Sequence, residues 1–117
     1  MAVKNTGFPS PAEEYRESVL SLDQHIVQNP SSTFFMKMDS ESMAPLVHKG
    51  DLLVIDRSLP PESGKLIVGH HRGEFLLRRL LIKGGRRYLQ SKELIDITED
   101  DDFTVFGVVS WVVHKMN

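Results

Sequence analysis

The chain has no cysteine. That excludes disulfides, thiol chemistry and thiolate metal sites, and it is compatible with the cytoplasm. It also lacks a surplus of charge. Its 14 Lys and Arg stand against 16 Asp and Glu, a formal net charge of −2, so the molecule as a whole has no electrostatic case for strong nucleic-acid binding. No apolar run approaches the roughly 18 residues a membrane helix needs. Residues 1–6 are too short and too polar for a signal peptide. A cytoplasmic protein with no membrane partner is the expectation. Neither a cofactor nor a metal is expected. His70-His71 shows no ligand spacing and reads as a surface turn, and Glu99-Asp100-Asp101-Asp102 are consecutive carboxylates that cannot all converge on one ion.

What is present is an ordinary globular composition, 40% hydrophobic and 26% charged over 117 residues, enough for one domain with a modest core. Residues 1–12, rich in Gly, Pro and Ser, read as an extended arm, and residues 13–117 as a single β domain. Asp23 is a candidate N-cap for one short helix over 24–28, ended by Asn29-Pro30. Beyond it the pattern is mainly β, about seven short strands, of which six are located: 33–38, 52–56, 66–68, 75–82, 86–90 and 103–114. The last, full of Val, Phe and Trp, is expected to be the most buried. Gly84-Gly85 suits a tight hairpin with positive φ.

The centre of the pattern is the run from Phe34 to Asp56: a strand, a polar turn carrying Ser42, a Gly50-Asp51 corner, and a second strand. A hydroxyl held rigidly between two strands can be a nucleophile. Taken alone, Ser42 reads as a turn residue bonding its own backbone. Met38 and Met43 read as core fillers.

The order Ser42-Met43, a polar spacer, then Gly50-Asp51-Leu52-Leu53 resembles the Ser-Lys self-cleaving (peptidase S24) domain shared by LexA-type repressors and UmuD-type mutagenesis proteins. Gly7-Phe8-Pro9-Ser10-Pro11-Ala12, Asn29-Pro30-Ser31-Ser32-Thr33-Phe34-Phe35, Gly73-Glu74-Phe75 and Asp102-Phe103-Thr104-Val105-Phe106-Gly107-Val108-Val109 extend the match in the family's order, closest to UmuD. The resemblance implies the β-rich, crumpled barrel-like fold of the LexA/UmuD C-terminal domain. It also implies that Ser42 sits at the nucleophile position, with an oxyanion pocket formed by the amides of Glu41 and Ser42.

One position departs from the family. A serine needs a base to take its proton, and the family uses a buried, neutral lysine. The matching position here is Arg78. Arginine is effectively never deprotonated in proteins. Forcing the neutral base at pH 7 costs upward of roughly 7 kcal/mol. Strand alternation leaves either Arg78 or Arg79 able to point inward, and neither can act as base. Lys37, Lys65 and His48 are the substitutes, and nothing in the spacing sets any of them against Ser42.

The family's self-cleavage point corresponds to the bond between Thr6 and Gly7, with only six residues before it. The resemblance therefore implies a UmuD-prime-like homodimer that joins a UmuC-like polymerase subunit, in the manner of DNA polymerase V, for translesion synthesis in the SOS response. It also implies contact with a RecA filament on single-stranded DNA. Two other readings stay open: an active autoprotease with another base, and a truncated antagonist forming mixed dimers with a resident UmuD. The chain has no helix-turn-helix segment, which weighs against direct operator binding. Basic residues Arg78, Arg79, Lys83, Arg86 and Arg87 concentrate in one hairpin, where a solvated tip is the simpler reading. Phe106 and Trp111, on the last strand, are candidates for a dimer interface.

Overall fold

The computed structural model describes residues 22–91, 94–97 and 102–117, with the side chains of 94–97 outside the description. The expected arm, the bond between Thr6 and Gly7, and Glu99, Asp100 and Asp101 lie outside the described residues. The described residues open with one helical turn and a half, α1 (Leu22–Ile26), and a 3-10 turn, Pro30–Ser32. Asp23 lies inside the first turn of α1 and does not cap a helix over 24–28; its carbonyl accepts from the Val27 N–H.

Seven strands follow: β1 (Thr33–Lys37), β2 (Leu52–Asp56), β3 (Leu66–His71), β4 (Glu74–Lys83), β5 (Arg86–Gln90), β6 (Leu94–Ile97) and β7 (Phe103–Val113). They form one antiparallel sheet in the order β1-β2-β7-β3-β4-β5-β6. Among the described residues the mainly β reading, with one short helix, therefore holds, and six strands fall where the pattern of branched and aromatic residues put them.

Two details are corrected. His70 and His71 belong to β3, half-buried and paired with Phe75 and Glu74. The turn falls instead at Arg72 and Gly73, whose φ values of 50° and 84° fit a tight hairpin. The most buried strand is β2, with four of its five residues buried. The outer half of β7 is largely exposed.

β7 lies between β2 and β3 and carries a bulge against each. Opposite β2, Val54 pairs with Trp111 and Ile55 with Val109, so Ser110 is the extra residue, and its hydroxyl donates to the Val54 carbonyl at 3.1 Å. Opposite β3, Val68 pairs with Gly107 and Gly69 with Val105, so Phe106 is the extra residue. Its carbonyl accepts from Arg57 Nε at 2.8 Å. Each bulge bends the strand and tightens its twist.

The curled sheet is covered on both faces in different places. One cluster joins Met38, Met43, Val47, Leu53, Ile55, Val68 and Leu77. The other joins Ile67, Leu80, Leu89, Phe103 and Val108. Leu77 and Leu80 of β4 serve opposite clusters, which is the crumpled-barrel character expected from the resemblance. Among the described residues, no helix is long and apolar enough to cross a membrane.

Candidate functional site

The loop between β1 and β2 is closed at its base. The Met38 N–H donates to the Asp51 carbonyl and the Gly50 N–H to the Met38 carbonyl, each at 2.8 Å. Gly50 turns this corner at φ 95°, a region few L-residues enter. Met43 and Val47 anchor the loop from within, at 8% and 0% exposure, so both methionines are core residues as expected.

Side chains clip the outside of the loop. Glu41 accepts from the Lys49 N–H at 3.2 Å and pairs with the His48 ring at the same distance. Buried Asp51 accepts from the His48 N–H and from the His114 ring. These contacts hold the Asp51 carboxyl below its ordinary pKa, the His48 backbone hydrogen bond first and the His114 ring second. Ser42 is thus carried on a loop fixed at both ends and in the middle.

β4 supplies the group opposite. Arg78 is half-buried, and its Nη1 donates to the Leu77 carbonyl at 2.7 Å and to Ser42 Oγ at 3.4 Å. The second contact is long and weak. Arg79 turns elsewhere and donates to the Gly64 carbonyl at 2.6 Å. Arg78 is therefore the arginine that reaches the serine. Both are drawn out of the basic hairpin, leaving Lys83, Arg86 and Arg87 as its cationic part. Desolvation lowers the Arg78 pKa from its ordinary value. Even so, a guanidinium has no lone pair free to take a proton at neutral pH.

Ser40 is a site residue that sequence reading missed. Its Oγ lies 3.0 Å from Ser42 Oγ and accepts from the Ser42 N–H at 3.4 Å. The signal available was its spacing of two within the polar turn. Two hydroxyls and a guanidinium can share hydrogen bonds, but none of the three is a general base. None of the other candidates has a hydrogen bond to Ser42 among the described residues. Lys65 pairs with Glu62 at 3.8 Å on the surface. The His48 ring pairs with Glu41. Lys37 does line the same groove as Ser42, but it is exposed.

That groove has a volume of about 700 Å³ and runs between the end of β1 and β4. Met36, Met38, Leu53, Val68 and Leu77 form its apolar floor, with Ser40, Ser42 and Arg78 at its polar end. Its size suits a short segment of chain or a small molecule. Among the described residues, no group of three or more His, Asp or Glu is arranged to hold a metal ion.

The profile of the Peptidase S24-like family matches residues 3–110 of this chain. Protein SamA of Salmonella typhimurium is 34% identical over 110 residues, which span 93% of this chain and 79% of that one. Protein ImpA of Escherichia coli is 35% identical over 118 residues, 93% of this chain and 77% of its own. Protein MucA of Escherichia coli is 40% identical over 80 residues, 68% of this chain and 55% of its own.

Proposed function

Because the chain belongs to the Peptidase S24-like family, as a UmuD-like member of it, we propose that it is a non-cleaving, UmuD-prime-like accessory subunit of an error-prone translesion polymerase of the polymerase V type, acting in the SOS response. The observation that carries this reading is Arg78 Nη1 standing 3.4 Å from Ser42 Oγ. Attack by Ser42 requires its proton to leave as the new C–O bond forms. The positive charge beside Oγ favours an alkoxide, but nothing next to it can accept the proton. A site that positions a hydroxyl without activating it can hold a partner segment and leave its peptide bonds intact. On this proposal the chain forms a homodimer, joins a UmuC-like polymerase subunit and contacts a RecA filament on single-stranded DNA.

Purified protein held at alkaline pH and followed by N-terminal sequencing is expected to show no new terminus at Gly7. It is also expected to co-purify with a UmuC-like subunit in a pull-down. A clean cut before Gly7 would falsify the non-cleaving reading. The rival, an active autoprotease, draws support from Lys37 lining the Ser42 groove. It predicts that a fluorophosphonate probe labels Ser42 in the unaltered protein. Lys37 lacks the burial that turns a lysine into a base, and we expect no labelling.

A further inference from the structure

We infer that the groove beside Ser42 is a receptor for the free C-terminal carboxylate of an extended peptide, with the Arg78 guanidinium as its anion anchor. This inference rests on the reading of Arg78 as a permanent cation and gives that cation a use.

Two features of Arg78 point to a missing anion. Among the described residues its hydrogen bonds leave from Nη1 alone, and its Nε is buried with no partner. No carboxylate among the described residues pairs with it, whereas Lys65, His48 and His114 each have one. A half-buried cation with a buried, unpartnered N–H is less well stabilised than one paired with a carboxylate in a good hydrogen-bonding geometry. Here the guanidinium instead lines an open groove. Desolvation lowers its pKa, with no carboxylate among the described residues to offset it.

The rest of the groove selects the kind of anion. Asp39 and Glu74 line it together with Lys37 and Arg78, so its formal charges cancel. Those two carboxylates repel a polyanion such as nucleic acid or a phosphate dianion more strongly than they repel the single charge of one carboxylate, which the guanidinium can hold by a charge-assisted hydrogen bond. Ser42 and Ser40 add hydroxyls at the same end. Behind that end the floor is apolar, and the groove runs beside β1, one of the two edge strands of the described sheet. An extended chain can lie there and place alternate side chains on Met36, Met38 and Leu53.

The test uses the full chain and a fluorescein-labelled hexapeptide of alternating alanine and valine, made once with a free C-terminus and once as the C-terminal amide. Fluorescence anisotropy at neutral pH is expected to show the free acid binding about tenfold more tightly or better, the value of one charge-assisted contact. Arg78→Met is expected to abolish the preference, with circular dichroism reporting the fold, and inorganic phosphate should compete poorly. Equal binding of the two peptides, binding of neither, or a preference that survives in folded Arg78→Met overturns the inference. Should Arg78→Met not fold, the acid-against-amide comparison in the unaltered protein decides by itself. A protein that does not cut before Gly7 yet binds both peptides equally keeps the proposed function and loses this inference.

Discussion

At the scale of the residue, the chemistry turns on which atoms can accept a proton. Replacing Arg78 with lysine would put a removable proton where a permanent one stands. Desolvation there disfavours the charged amine, so Arg78→Lys is expected to raise fluorophosphonate labelling of Ser42 by about 100-fold, the lower end of what a general base contributes. Unchanged labelling would show that the loop, and not the missing base, keeps Ser42 silent. Asp56 is a second residue with a definite role. Its buried carboxylate accepts from Asn29, Ser32 and both the N–H and the hydroxyl of Ser58. These bonds, the Ser58 hydroxyl first, lower its pKa from 3.8 to about 2. A depressed carboxylate stabilises the fold above its unfolded pKa and loses that contribution as pH falls through the folded one. Urea midpoints should therefore drop as pH falls from 3.8 towards about 2. Asp56→Ala should cost about 2–3 kcal/mol at neutral pH and flatten this part of the acid dependence. Ser42 and Arg78 were both legible as a pair from their positions in the family's motifs. Ser40 was not, because a hydroxyl two residues from another has no signature until the turn is folded.

At the scale of the element, β7 does more than its composition suggests. Its Val-, Phe- and Trp-rich run announces a strand, but the two bulges at Phe106 and Ser110 shape the sheet. Glycine is required beside them. A Cβ on Gly107 would lie 2.5 Å from Ile55 Cγ2 and 3.2 Å from Arg57 Cγ. One on Gly69 would run into the Phe103 ring. Ile55 is fully buried and cannot move aside freely. Gly107→Ala is thus expected to destabilise the fold by about 1–3 kcal/mol, read from urea unfolding. A loss below the error of that measurement would mean β2 and β7 can slide apart cheaply. Turns were the most legible elements. Gly84 and Gly85 adopt φ of 58° and 76°, as their pairing predicted, while the histidines of β3 were misplaced because their neighbour Gly73 marks a turn without fixing on which side it begins.

For the whole molecule, the proposed homodimer needs a surface, and the bulge at Phe106 builds one. Phe106 packs edge-to-face with Phe34 and Phe75, each at 5.4 Å, with the Arg57 guanidinium 4.5 Å from its ring centre. Phe34 and Phe75 remain 42% and 51% exposed. Exposed aromatics gathered in one patch are typical of contact surfaces. β7 pairs with β2 over Val108–Val113 and with β3 over Phe103–Val108, and at Phe106 it would contribute to the interface through its face. Light scattering should give twice the chain mass for the unaltered protein and the single mass for Phe106→Asp, with circular dichroism unchanged. A dimer that survives the substitution puts the interface elsewhere.

The sequence by itself determined the local facts: β2, β5 and the glycine hairpin to the residue, the serine turn and its Gly50 corner, the family, and it supplied the proposal that Arg78 stands at the position of a base. Those follow from alternation, turn chemistry and the fixed protonation of a guanidinium, each set within a few residues. Only the tertiary structure decided that β7 inserts between β2 and β3, that the sheet curls far enough for β4 to meet the loop before β2, and that His48 binds Glu41 while Ser40 takes the place beside Ser42. Strand partners are chosen by sums of contacts between distant segments, and no single stretch of chain carries that sum.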